Sequence, residues 1–124
     1  MTWVQPDAGG LVDLHPALGQ RVHDLRDHAA AATPGRTGEL ARIRVAQLLE
    51  GATAESLPAD LTAAEHAALA VIEQFIVDVH GLDDRTFASL STFYTPAEQM
   101  GLLFHLALLD GFTKLNLVAA GAPN

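Results

Sequence analysis

The chain contains no cysteine. That absence excludes disulfides, thiolate zinc sites, Cys-x-x-Cys redox chemistry and a cysteine nucleophile. Basic charge is also scarce. Seven Lys and Arg stand against fifteen Asp and Glu, a formal charge of −8 with neutral histidines. So acidic a chain is repelled by phosphate backbones and anionic headgroups, which argues against nucleic-acid and membrane partners. Aromatic residues make up only 6% of the chain. No segment of four to eight residues alternates apolar and polar side chains, so no sheet is expected. The longest apolar run, Met100 to Leu109, contains His105 and is ten residues long, where roughly twenty are needed to cross a bilayer. No apolar run follows Met1 and the first basic residue is Arg21. No signal peptide is therefore read, and a soluble, cytoplasmic protein is expected. Gly-rich phosphate loops, a Gly-x-Ser-x-Gly elbow and a His-Glu-x-x-His run are all missing.

What is present is apolar material: 49% of 124 residues are hydrophobic and 18% charged. That suffices for one core and one domain. Residues 1–14, with Pro6, Gly9 and Gly10, read as an N-terminal arm, and residues 15–124 as a single helical domain. A first helix is expected over 17–32, with Leu18, Val22 and Leu25 as its buried stripe. Thr37 is the expected N-cap of a second helix, 38–50, which Gly51 stops. A loop interrupted by Pro58 follows. Thr62-Ala63-Ala64-Glu65 is a capping box that opens a third helix running to about His80. Its apolar face is Leu69, Ile72, Phe75, Ile76 and Val79. Asp83 or Asp84 caps a fourth helix that ends near Phe93. A second capping box, Thr95-Pro96-Ala97-Glu98, opens the fifth, which reaches about Ala120.

The fifth helix leaves almost no polar face where Leu102, Leu103, Phe104, Leu106, Leu108 and Leu109 crowd two turns. A helix apolar all round must be covered on all sides. Four neighbours in so small a domain hardly suffice, so a second copy of the chain is the expected cover.

Six histidines invite a search for metal ligands. On a helix, ligands to one metal stand three or four residues apart. His66, Glu73 and His80 are spaced by seven, roughly 10 Å per gap, and cannot share an ion; no metal site is expected. His80 suits a helix C-terminus, where the dipole favours a cation. His105 stands among apolar neighbours, where a buried imidazole needs a partner and is also open to tuning as an acid or base. Glu39, in the first turn of the second helix, stabilises the dipole there and can pair with Arg42 three residues on. Arg44 points to another face.

Two stretches carry a resemblance. Glu39 to Gly51, ELARIRVAQLLEG, and Thr95 to Gly121, TPAEQMGLLFHLALLDGFTKLNLVAAG, are similar to the carboxymuconolactone decarboxylase-like superfamily, which includes the alkylhydroperoxidase D-like proteins. The stretch LTAAEHAALAVIEQFIVDVHGLDDRTFASL between them resembles that family's Leu-Thr-x-x-Glu helix and following loop. The resemblance implies a small all-α bundle that assembles as a homo-oligomer, commonly a trimer or hexamer. The redox branch of the family places Cys-x-x-Cys and His after the glutamate. Counted from Glu39 those positions are Gly51, Ala54 and Pro58, so thiol peroxidase chemistry is excluded. The decarboxylase branch implies cofactor-free acid/base chemistry on a small organic acid or lactone-like metabolite. On that reading Glu39 and His105 are the catalytic proton-transfer groups, and Arg42 or Arg44 binds the substrate carboxylate. The alternative is a non-catalytic small-molecule-binding or structural subunit that kept the fold and lost the site.

Overall fold

The computed structural model describes residues 16–121, with side chains as far as Val118. The expected N-terminal arm, residues 1–14, lies outside the described residues. Among the described residues five α-helices follow one another: α1 (Pro16–Ala32), α2 (Thr37–Glu50), α3 (Ala63–Val77), α4 (Asp84–Phe93) and α5 (Pro96–Gly121). A 3-10 turn at Val79–Gly81 lies between α3 and α4. No strand occurs among the described residues, and the architecture is all-α.

Local chemistry sets most of the helix ends. At α3 the Glu65 N–H donates to Thr62 Oγ1 (3.1 Å), and the Thr62 N–H donates back to the Glu65 carboxylate (2.9 Å). Two otherwise orphaned backbone donors are satisfied in one exchange. Thr95 and Glu98 repeat the arrangement at α5, at 2.9 and 3.2 Å. Asp83, not Asp84, caps α4 by accepting from the Thr86 N–H at 2.8 Å. Gly51 ends α2 in the left-handed region, φ +64°, where a side chain would be strained.

Two boundaries depart from the sequence expectation. Thr37 is not the N-cap of α2. Arg36 holds that position without a side-chain cap, and the Thr37 hydroxyl is taken by the buried Tyr94 phenol, 3.0 Å away. Helix α3 stops at Val77, short of His80, because Asp78 turns extended (φ −156°, ψ 90°). The Gln74 side chain and the Gly81 N–H both donate to the Asp78 carbonyl, at 2.8 and 3.0 Å, and hold the break. His80 therefore sits on the short turn and not at the end of α3.

The core lies where α2, α3, α4 and α5 meet. Leu40, Val45, Val71, Ile72, Leu90, Leu102 and Leu106 are fully buried there. Each such side chain contributes roughly 1.5–3 kcal/mol relative to exposure. Helix α2 packs on α3 and α5, and α4 packs mainly on α3.

Helix α1 packs chiefly on α5, and of its expected stripe Val22 is half-buried while the two leucines are exposed. Leu18 is 56% and Leu25 48% exposed, while Gly19 and Ala29 are buried. The reason lies on the partner helix. At Gly101 of α5 a Cβ would stand 2.8 Å from the Ala32 Cβ. Backbones that approach so closely admit only small residues between them, so the leucines of α1 are turned aside.

Averaged along its length, α5 is more apolar than its longest unbroken run suggests. The stretch Pro96–Val118 is long and apolar enough to cross a membrane by length and composition, and only 17% of its most apolar window is buried. The core helix of a soluble bundle meets the same test when it is mostly buried, which this stretch is not within the single chain. Leu102 and Leu106 are buried, but Met100 and Phe104 are each 53% exposed.

Candidate functional site

Glu39 is placed by the first turn of α2 and His105 by the middle of α5, which crosses α2. The His105 Nε2 lies 3.0 Å from the Gly38 carbonyl oxygen. A carbonyl only accepts, so Nε2 carries the hydrogen and the neutral ring keeps Nδ1 as its lone-pair nitrogen. Gly38 leaves room for this imidazole: even a Cβ there would stand 3.7 Å from Nε2.

The Glu39 carboxyl is held below its usual range, first by hydrogen bonds from Arg42 and then by the Arg42 charge, with a lesser contribution from His105 when that ring is protonated. Arg42 donates to Glu39 through Nε at 3.0 and 3.1 Å, and to Glu55 through Nη2 at 2.7 Å. Both carboxylates hold the Arg42 guanidinium above its already high ordinary value. The cluster thus contains two anions and one cation, all substantially exposed. Its net charge is negative unless His105 is protonated. Such a cluster repels a carboxylate instead of holding it.

Arg44 is directed elsewhere. Its Nε donates to Glu73 of α3 at 2.9 Å and its Nη1 to Gln47 at 3.0 Å. It is a strut between α2 and α3, on the far side of α2 from Arg42. The structure therefore pairs Glu39 with Arg42, ties His105 to the neighbouring Gly38 carbonyl and leaves Arg44 apart. Glu55 and Glu73 were not singled out as partners of these arginines. They lie 13 and 29 residues away in sequence, and no local spacing signals such pairs.

A third arginine makes the strongest tie. Arg36 forks onto both oxygens of Glu65 and also reaches the carbonyl and carboxylate of Asp60. Glu65 already accepts from Thr62, and together these bonds hold its carboxyl down at about 2. The pairing fastens the start of α2 to the start of α3 and has no free group for chemistry.

Cavities lie elsewhere on the surface. One of about 380 Å³ opens between α1 and α5, lined by Leu25, Ala29, Ala32, Met100, Gly101 and Phe104, with His28 at its edge. A smaller apolar one, about 180 Å³, shares Met100 and Phe104 with it. Another of about 410 Å³ lies between α3 and α4. None of these three is lined by Glu39, Arg42, Arg44 or His105. Among the described residues no three His, Asp or Glu side chains gather to hold a metal ion. No family model matches the chain, and neither a curated protein nor a solved structure matches it significantly.

Proposed function

We propose that the chain is a cysteine-free protein of the carboxymuconolactone decarboxylase-like type that serves as a non-catalytic subunit of a cytoplasmic homo-oligomer. The observation that carries this reading is the closed ion-pair arrangement at the expected site. Arg42 is shared by Glu39 and Glu55, and Arg44 is taken by Glu73. Neither cation is left to hold an acidic substrate. The apolar flank of α5 supports the oligomer, since Met100 and Phe104 stand exposed beside Leu25 of α1. A trimer or hexamer, the assembly that the resemblance implies, covers such a flank. Sedimentation equilibrium at micromolar concentration tests it. A trimer or hexamer is expected, and a stable monomer overturns the proposal. Membrane fractionation is the companion measurement, with the chain expected in the soluble fraction.

A second reading rests on the nearness of His105 to Glu39. The ionised Glu39 carboxylate and the open Nδ1 of a neutral His105 are two bases, each able to take a proton from a substrate and return it. They would serve a cofactor-free lyase or isomerase acting on a small organic acid or lactone. The test is turnover across a panel of lactones and unsaturated diacids. If a substrate is found, Glu39→Gln and His105→Gln are each expected to abolish turnover on this reading. If no member of the panel is consumed, the non-catalytic reading stands.

A further inference from the structure

The cleft between α3 and α4 differs from every other cavity described above in the polar groups it offers. Its α3 side is a row of small residues, with Ala67 and Ala70 forming a floor beside His66. Its α4 side carries Arg85, Ser89 and, at the far end, Phe93. The spacing explains the alignment. Residues 66, 67 and 70 recur at three and four along α3, and 85, 89 and 93 recur at four along α4, so each set shares one face.

Three of these side chains are uncommitted. Among the described residues, Arg36, Arg42 and Arg44 are bound in ion pairs, Arg26 stacks on Phe112, and Arg21, unpaired like Arg85, lines none of the cavities described above. Arg85 has no hydrogen bond or ion-pair contact of its side chain there, although it lies within the field of Asp83. That carboxylate is itself occupied by the Thr86 N–H and hydroxyl, both at 2.8 Å. His66 and Ser89 also lack a side-chain hydrogen-bond partner among the described residues. Phe93, 46% exposed, supplies an aromatic wall. A planar guanidinium, an imidazole and a hydroxyl, each exposed, thus line one groove with Ala67 and Ala70, in a molecule otherwise strongly negative.

We propose that this cleft is a binding site for a small carboxylate with a flat apolar body. The carboxylate meets Arg85 as a bidentate fork, with His66 and Ser89 donating to its oxygens. The body lies on Ala67 and Ala70 against Phe93. The volume, about 410 Å³, falls in the range of small-molecule sites, roughly 300–1,000 Å³. Such sites combine apolar lining with a small number of placed polar groups; here His66, Arg85, Thr86 and Ser89 are the polar ones. The larger apolar cavity beside α1 lacks this feature. Its one polar side chain, His28, is bound to the Asp24 carbonyl. The proposed site shares no residue with the Glu39–His105 cluster, so it stands or falls independently of the function proposed above.

The test is a titration of the full isotope-labelled chain with benzoate, followed by amide chemical shifts. Benzamide serves as the uncharged analogue and inorganic phosphate as the anion without a body. Saturable shifts centred on residues 66, 85, 89 and 93 are expected with benzoate. Benzamide and phosphate are expected to bind about tenfold more weakly or worse. Arg85→Gln is expected to weaken benzoate by a similar factor with the rest of the spectrum unchanged. His66→Gln provides an independent variant with a smaller loss. The proposal is overturned by non-saturable shifts, by shifts centred elsewhere, or by equal affinity for benzamide. It is also overturned if phosphate binds as well as benzoate, or if both variants bind like the unaltered chain.

Discussion

The core where α2, α3, α4 and α5 meet and the crossing of α1 on α5 are held by different interactions. In the first, interlocking aliphatic side chains are reinforced from outside by Arg36–Glu65 and Arg44–Glu73, which tie α2 to α3. In the second, two backbones meet at Gly101 and Ala32, and the large apolar side chains stand beside the contact instead of within it. A core excludes water by filling space with large groups. A close crossing does so by having almost no groups to fill it with. The first arrangement is complete within one chain. The second leaves Leu25, Met100 and Phe104 open, which is why the assembly proposed above is assigned to that side.

The contrast is sharpest for substitutions of large side chains. Leu106→Ala, at a fully buried position of α5, is expected to cost about 2–5 kcal/mol of unfolding free energy by denaturant titration. Gly101→Ala adds one methyl where there is no space, and a loss of about 1–3 kcal/mol is expected. A neutral effect there would show that α1 can move away freely and that the close crossing is not a constraint.

Glu65→Gln probes the external ties. It removes the charge that Arg36 grips and weakens the capping box, for a loss of roughly 1–2 kcal/mol at neutral pH. The sign of its pH dependence is fixed. The Glu65 carboxyl ionises at about 2 when folded, against an ordinary 4.5. Its contribution is therefore fully present above about 4.5 and is lost as the pH falls through about 2. The variant is expected to show a shallower acid limb of stability over that window, measured by thermal unfolding at successive pH values. Leu25→Ser has the smallest effect within one chain, under about 0.5 kcal/mol. In the oligomer it is expected to weaken association instead, raising the monomer fraction in sedimentation. A cost comparable with that of Leu106→Ala would erase the distinction between the core and the α1–α5 crossing.

Much of the fold was legible because its signals are local. The boxes Thr62–Glu65 and Thr95–Glu98, the cap at Asp83 and the stop at Gly51 each involve residues within a few positions of one another. Thr37 carried the same kind of signal and misled, because its hydroxyl is claimed by Tyr94, 57 residues on. The stripe on α1 misled for a related reason. Periodicity finds the leucines of a helix but does not know that its neighbour presents Gly101. At the candidate site, Glu39–Arg42 was legible as a pair three residues apart. The partners Glu55 and Glu73, which decide how much of each guanidinium is free, come from elsewhere in the chain. The α3–α4 cleft was not legible as a site, since His66 and Arg85 look like ordinary solvated residues until two helices place them together.

Tyr94 is the one tyrosine in the chain, and its ring is buried with its phenol tied to Thr37. A chromophore fixed in an asymmetric setting yields a near-ultraviolet circular dichroism band that disappears when tight packing is lost even if helices persist. The protein therefore carries an intrinsic optical gauge at the joint between α2 and the end of α4. Nitration of that ring by tetranitromethane should be slow while the joint is closed and rapid once it loosens, so a single reagent reports how often the bundle opens there.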